Sequence, residues 1–255
     1  TDTLEVDLYI CITGSDKPDY CTNSFDSCFA LHYFIDIRSP EFFPPDGSIT
    51  ACTDQSLAAA LYSLGGVDSA TVTLTLVDMT DSSTIADIPL SDPRFSHTRT
   101  LLAPFGVMDS FFFDPEPGFW PNGKYIRCSI YGYVHHADHP GYTTYSWFFY
   151  TDFSPPYIEA ISPYDGSIAM TSPDTMYFRF GDSTAGVLET AIACTLFYNG
   201  TPFAIPFGAL ERISGDTLAL PFTNYGINLS GCDSVRFCAS AIDAVPSEFC
   251  GPNSM

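Results

Sequence analysis

The stretch Asp36 to Asp78 (DIRSPEFFPPDGSITACTDQSLAAALYSLGGVDSATVTLTLVD) returns in varied form at Asp152 to Gly200 (DFSPPYIEAISPYDGSIAMTSPDTMYFRFGDSTAGVLETAIACTLFYNG). Both copies open on a Ser-Pro step and carry one turn, read as Asp46-Gly47-Ser48-Ile49 or Asp165-Gly166-Ser167-Ile168. Both then place a Gly-Val pair before a β-rich run. Self-similarity of this kind marks a duplicated module, and modules are duplicated for reach or surface more often than for chemistry.

The period follows by difference. Gly47 and Gly166 lie 119 residues apart, and Cys11 (DLYICIT), Cys128 (KYIRCSI) and Cys238 (SVRFCAS) are separated by 117 and 110. That is one small domain. Val6 to Cys21 resembles Val235 to Cys250, so residues 1–38 read as the closing strands of a partial unit, or as a segment that adds to another subunit. Residues 39–153 read as a complete unit. Residues 154–255 read as a second unit lacking its final strand, because the run Asp26 to Ile35 has no counterpart before Met255. The chain begins at Thr1, which reads as a mature or excised piece.

Within each unit the strand pattern is legible. Val72, Leu74 and Leu76 alternate with Thr71, Thr73 and Thr75, as in a strand with one face on a core and one in water. Ile192, Cys194 and Leu196 repeat the pattern, which points Cys194 inward. Ser110 to Asp114 and Thr217 to Leu220 supply a later strand, and a Pro- and Gly-rich bend follows each. Twenty Pro and 18 Gly punctuate segments rich in Tyr, Phe, Val, Ile and Thr, and only Ser56 to Leu64 hints at a helix. The fold class expected is all-β, with short strands forming a sandwich in each unit.

Nine Lys plus Arg face thirty Asp plus Glu, a net charge of −21. A polyanion of this density repels nucleic acid and anionic lipid and offers no basic stripe for phosphate. Solubility is the plain reading of the acidity, and cation binding by Asp-rich loops the sharper one, although no segment has the spacing of a calcium loop. The apolar runs are of strand length, so no membrane insertion is expected.

Nine cysteines without a CxxC pair suit structural disulfides in an oxidising, extracellular or cell-surface setting. The expected bonds are Cys52–Cys128, within the central unit, and Cys21–Cys28, across the turn-rich TNSFDS segment. Two glycosylation triplets occur, at Asn199 and Asn228.

The turn and linker segments resemble bacterial immunoglobulin-like and fibronectin type III-like surface modules. The residues carrying the resemblance are Ser154-Pro155-Pro156, Ser162-Pro163-Tyr164-Asp165-Gly166-Ser167, Gly186-Val187 and Gly215-Asp216-Thr217-Leu218. It implies tandem extracellular immunoglobulin-like sandwiches and carries over no catalytic residue. A Cys-Trp-Cys core of the antibody type is absent from the pattern.

Chemistry is sparse. His135, His136 and His139 cluster with Asp138, but neighbours in an extended segment point to opposite faces, and a solvated loop is the favoured reading. Phe119 and Trp120, in the DPEPGFWP bend with Asp114 and Glu116, offer a possible sugar-stacking platform, against core-edge packing as the plainer alternative. Neither GxSxG, HExxH nor a phosphate-binding glycine loop occurs, so the chain reads as a non-enzyme without cofactors. The leading function is a structural segment of an extracellular fibre, assembled head to tail with copies of itself or with neighbouring modules of a longer chain. Phe29, Leu31, Tyr33 and Ile35 are the expected donated strand. An adhesin or carbohydrate-binding stalk meeting a surface glycan is the alternative, and an accessory region of a secreted hydrolase the third.

Overall fold

The computed structural model describes residues 3–15, 24–36, 39–102, 106–135, 140–168, 173–214, 216–230 and 233–255. At the amino terminus β1 (Thr3–Ser15) pairs antiparallel with β2 (Ser24–Asp36) in a two-stranded hairpin.

The next nine strands build one sandwich. They are β3 (Glu41–Phe43), β4 (Ser48–Thr50), β5 (Leu57–Ser63), β6 (Val67–Asp78), β7 (Ser83–Pro89), β8 (Phe95–Leu101), β9 (Val107–Phe113), β10 (Tyr125–Val134) and β11 (Gly141–Thr151). One sheet runs β3-β5-β9-β8 and the other β4-β11-β10-β6-β7. This is the immunoglobulin order, strands A-B-E-D facing A′-G-F-C-C′. The alternation read from the sequence holds, with Val72, Leu74 and Leu76 buried on β6. They pack with Leu57, Phe111, Ile126, Trp147 and Phe149 between the sheets. Each such side chain contributes about 1.5–3 kcal/mol by leaving water.

Seven further strands build a second sandwich: β12 (Tyr157–Ser162), β13 (Thr175–Gly181), β14 (Ala193–Tyr198), β15 (Thr201–Ile205), β16 (Glu211–Ser214), β17 (Thr217–Pro221) and β18 (Val235–Ser240). Its sheets are β12-β13-β17-β16 and β15-β14-β18. Phe178, Leu196, Leu220 and Phe222 form its centre, and Cys194 points inward as its alternation requires. The shared turn has a backbone reason: Gly47 and Gly166 both sit at positive φ, +77° and +68°, where a side chain would be strained.

Three expectations are corrected. Ser56 to Leu64 is no helix, since β5 occupies Leu57–Ser63 and buries Leu57, Ala59, Leu61 and Ser63 on one face. The alanines' helix propensity yields to this tertiary burial. Cys52 is not bonded to Cys128. Cys128 is a free thiol in the inter-sheet core, between Trp147 and Leu76 in register, and burial pushes its pKa up. Cys52, in the loop after β4, is bonded instead to Cys250 of the second sandwich. Cys28 pairs not with Cys21, which lies outside the described residues, but with Cys11, directly opposite it in the hairpin.

A buried polar clasp ties the end of the first sandwich. Asp109, fully buried, accepts hydrogen bonds from the Val67 amide (2.7 Å) and Arg99 Nε (2.8 Å) and lies 2.7 Å from His97 Nε2.

Candidate assembly edge and acidic junction

The two sandwiches differ by two strands, since among the described residues the second has no counterpart of β4 or of its neighbour β11. In the first, the F-type strand β10 is flanked by β6 and by the G-type strand β11. In the second, the F-type strand β18 pairs with β14; the described residues place no strand beside β18 itself on the other side, but just past its end the last residues pair there, Ile242 bridging Ser254 and the Met255 amide donating to the Ala241 carbonyl (2.9 Å). Its pattern alternates, with Val235, Phe237 and Ala239 half-buried and Arg236, Cys238 and Ser240 exposed. The Phe237 ring sits 4.6 Å from Phe178, so this face meets the core. The matching face of β10 is fully covered, Ile126 and Cys128 having no exposure. An uncovered edge of this kind presents unpaired amides and carbonyls, a template for another strand.

The hairpin presents apolar surface of its own. Tyr9, Ile10, Ile12 and Phe29 are exposed by 64%, 43%, 50% and 56%. Neither core draws on a described side chain of the hairpin. Of the expected assembly residues, Phe29 stands opposite Ile10, while Leu31, Tyr33 and Ile35 stand in register with Leu8, Val6 and Leu4. They therefore belong to a paired strand. The Cys11–Cys28 bond holds its two members together.

The junction between the sandwiches is densely tied. Besides Cys52–Cys250, the Ala51 amide donates to the Phe249 carbonyl (2.8 Å) and Asn253 Nδ2 to the Asp152 carbonyl (2.9 Å). Three carboxylates converge there from separate segments: Asp152 just past β11, Asp182 just past β13, and Asp243 beyond β18. Each offers an oxygen within 4.8 Å of the others, and Asp152 and Asp243 are buried to 0% and 1% exposure. Asp152 accepts from the Ala185 amide (2.8 Å). Asp182 Oδ1 accepts from the Thr184 and Gly186 amides (2.9 and 3.0 Å). Asp243 accepts from the Val245 and Asn253 amides and from Asn253 Nδ2 (2.6 Å). Burial, with the Asp182 carboxylate alongside, pushes the Asp152 carboxyl above its ordinary range. Sequence reading missed this cluster because its members stand in unrelated segments with no ligand-type spacing. The only signal was the excess of acid.

The other candidates resolve differently. Phe119 and Trp120 form no sugar platform. Trp120 is buried, donates from Nε1 to the Gln55 carbonyl (2.9 Å), and packs edge-on against Phe149 and Phe119, so its ring faces are spent inside the first core. Asn199 is exposed, but its amide is engaged: Nδ2 donates to Asp233 Oδ1 (2.8 Å), and Oδ1 accepts from the Ser234 amide (2.9 Å). Asn228 is exposed in the loop before β18. His135 is exposed with its ring edge-on to Tyr133, and residues 136–139 lie outside the described residues.

Strand order and core placement define the class: an all-β chain of tandem immunoglobulin-like sandwiches preceded by a two-stranded hairpin. Its two disulfides are consistent with an extracellular or cell-surface location. No helix among the described residues is long and apolar enough to cross a membrane.

No family model matches the chain, and no curated protein matches it in sequence. Among solved structures it is similar to the full ectodomain (Ig1–Ig3) of mouse nectin-like molecule 4, at 12% identity and a TM-score of 0.35, over 90% of this chain and 69% of that one. It is also similar to the IG1+IG2 segment of DIP-gamma, at 14% identity and a TM-score of 0.31, over 86% of this chain and 95% of that one. Similarity extends to Dpr11 IG1 bound to DIP-gamma, at 12% identity and a TM-score of 0.26, over 86% and 96%. These are distant overall likenesses, and the fold assignment rests on the strand order above.

Proposed function

We propose that the chain is a non-catalytic structural segment of an extracellular filament. Residues 39–153 and 154–255 are its immunoglobulin-like units, and residues 1–38 join one copy to the next. The amino-terminal hairpin of one copy adds to the outer edge of β18 in its neighbour, so that copies chain head to tail. The observation that carries this reading is the asymmetry at the F-type strand: β10 is flanked by β11, whereas among the described residues Val235 to Ser240 of β18 have no strand on their outer edge, pairing there beginning only past the strand at Ile242 and Ser254, and Val235, Phe237 and Ala239 are only half-buried.

The chain supplies a matching piece. In sequence, β2 is followed by Ile37-Arg38-Ser39-Pro40 much as the G-type strand β11 is followed by Asp152-Phe153-Ser154-Pro155, so it is a strand of the type that the described residues do not place beside β18. Main-chain hydrogen bonds along the edge supply affinity in such additions, and alternate side chains supply specificity. The net charge of −21 disfavours side-by-side association and leaves the ends as the points of contact.

Deletion of residues 1–38 tests it. Filaments seen by electron microscopy for the whole chain should be lost, while the remaining sandwiches keep their β-type circular dichroism. Filaments of undiminished length from the deletion would refute strand addition by this segment. If β18 is covered instead by following residues of a longer chain, the extended protein is monomeric by light scattering, and self-assembly falls.

A further inference from the structure

We propose that Asp152, Asp182 and Asp243 bind a divalent cation, calcium by the chemistry of the donors, and that the ion stiffens the junction between the two sandwiches.

The first argument compares carboxylates within the chain. Other buried carboxylates here are matched by a cationic side chain: Asp109 by Arg99 and Asp78 by Lys124. The more exposed arginines Arg179 and Arg212 serve Glu159 and Glu189. At the junction three carboxylates gather within 4.8 Å, two of them fully buried; the groups that donate hydrogen bonds to them are amides, and the Asp152 and Asp182 side chains meet each other with no cationic side chain between them. Amides lower the cost of burying a charge but do not cancel the mutual repulsion of several like charges at this distance.

A second, separate observation points to a ligand. Asp182 Oδ2 is buried, with less than 1 Å² accessible, and has no hydrogen-bond partner, although its sister oxygen is satisfied by two amides. A buried polar atom without a partner calls for an ion or a water. Next to two more carboxylates, a cation meets both demands at once. The donors are all oxygen, with no imidazole or thiolate, which selects a hard cation over zinc or copper. Three carboxylates leave several positions of a six- to eight-coordinate ion for water or carbonyl oxygen, so affinity falls in the weak range of extracellular calcium modules, ~10⁻⁴–10⁻³ M.

The mechanical consequence follows from the placement of the ligands. Asp152 ends the first sandwich, while Asp182 and Asp243 belong to the second, so the ion bridges the two across the linker at Ser154-Pro155.

The test uses the whole chain, stripped with EDTA and titrated with calcium chloride by isothermal calorimetry, with thermal melts alongside. At about 10 mM calcium, roughly tenfold above the weak end of that range, the melting temperature should rise by about 3–6 °C and return with EDTA. Asp182→Asn keeps an oxygen for the Thr184 and Gly186 amides and removes a charge. It should bind calcium at least tenfold more weakly, yet melt no lower than the wild type without calcium. A merely structural Asp182 gives the opposite pattern: a lowered calcium-free melt and an unchanged calcium response. Neither heat of binding nor a shifted melt in the wild type at this concentration would also overturn the proposal.

Discussion

Removing the bond between Cys52 and Cys250 should separate the melting of the two sandwiches. The cysteines lie 198 residues apart, so the bond closes a loop containing most of both sandwiches. In the loop-entropy description a closure of this length removes about 18 cal/mol/K from the unfolded chain, or ~5 kcal/mol at 25 °C. That figure is an upper value, because compact unfolded chains have already lost part of this entropy. What remains at the junction is noncovalent: the Ala51–Phe249, Asn253–Asp152 and Ala185–Asp152 hydrogen bonds, each worth about 1 kcal/mol net. Calorimetry of the Cys52→Ser, Cys250→Ser double variant should therefore show a lowered onset and two resolved transitions. Cys128→Ala removes a buried thiol and no bond, so its shift should stay near ~1 kcal/mol. An unchanged transition in the double variant, or a Cys128 variant that mimics it, would show that Cys52 is paired otherwise.

The two tryptophans should answer differently to one substitution. Trp120 Nε1 donates to the Gln55 carbonyl, whereas the buried Trp147 Nε1 has no partner. Trp120→Phe should thus cost ~1–3 kcal/mol more than Trp147→Phe in urea unfolding, beyond a similar loss of volume, and equal costs would discredit the assigned bond. Asp109→Asn places one acceptor and one donor where Val67, His97 and Arg99 all present nitrogen groups. It should destabilise the first sandwich by ~2–4 kcal/mol with an unchanged denaturant slope; a loss below the precision of the measurement would mean the clasp contributes nothing.

The alternation of Val72, Leu74 and Leu76 with threonines was readable because a half-buried strand writes its two faces directly into the sequence. The repeated Asp-Gly-Ser turn was readable for a similarly local reason, its glycine sitting at positive φ in both copies. Cysteine pairing was not, since proximity of Cys52 to Cys250 depends on how one sandwich sits on the next. Cys11, Cys128 and Cys238 lie in similar strands, yet one is disulfide-bonded, one buried and one exposed. β5 misled through composition, because alanines on an interior strand obey the neighbouring sheet and not their own propensity. Trp120 lay in a Pro-rich bend whose inward fold no local pattern announces. The acidic junction required three loops to meet in space.

Hydrogen–deuterium exchange of the whole chain across a concentration series tests strand addition most directly, because it reads the amides of the edge itself. If copies join through this edge, the amides of Val235 to Ser240 and those of β2 should gain protection together as concentration rises, and in step with the growth in mass seen by light scattering. The interior strand β10 should stay equally protected throughout. Growth in mass without added protection at Val235 to Ser240 would contradict the account.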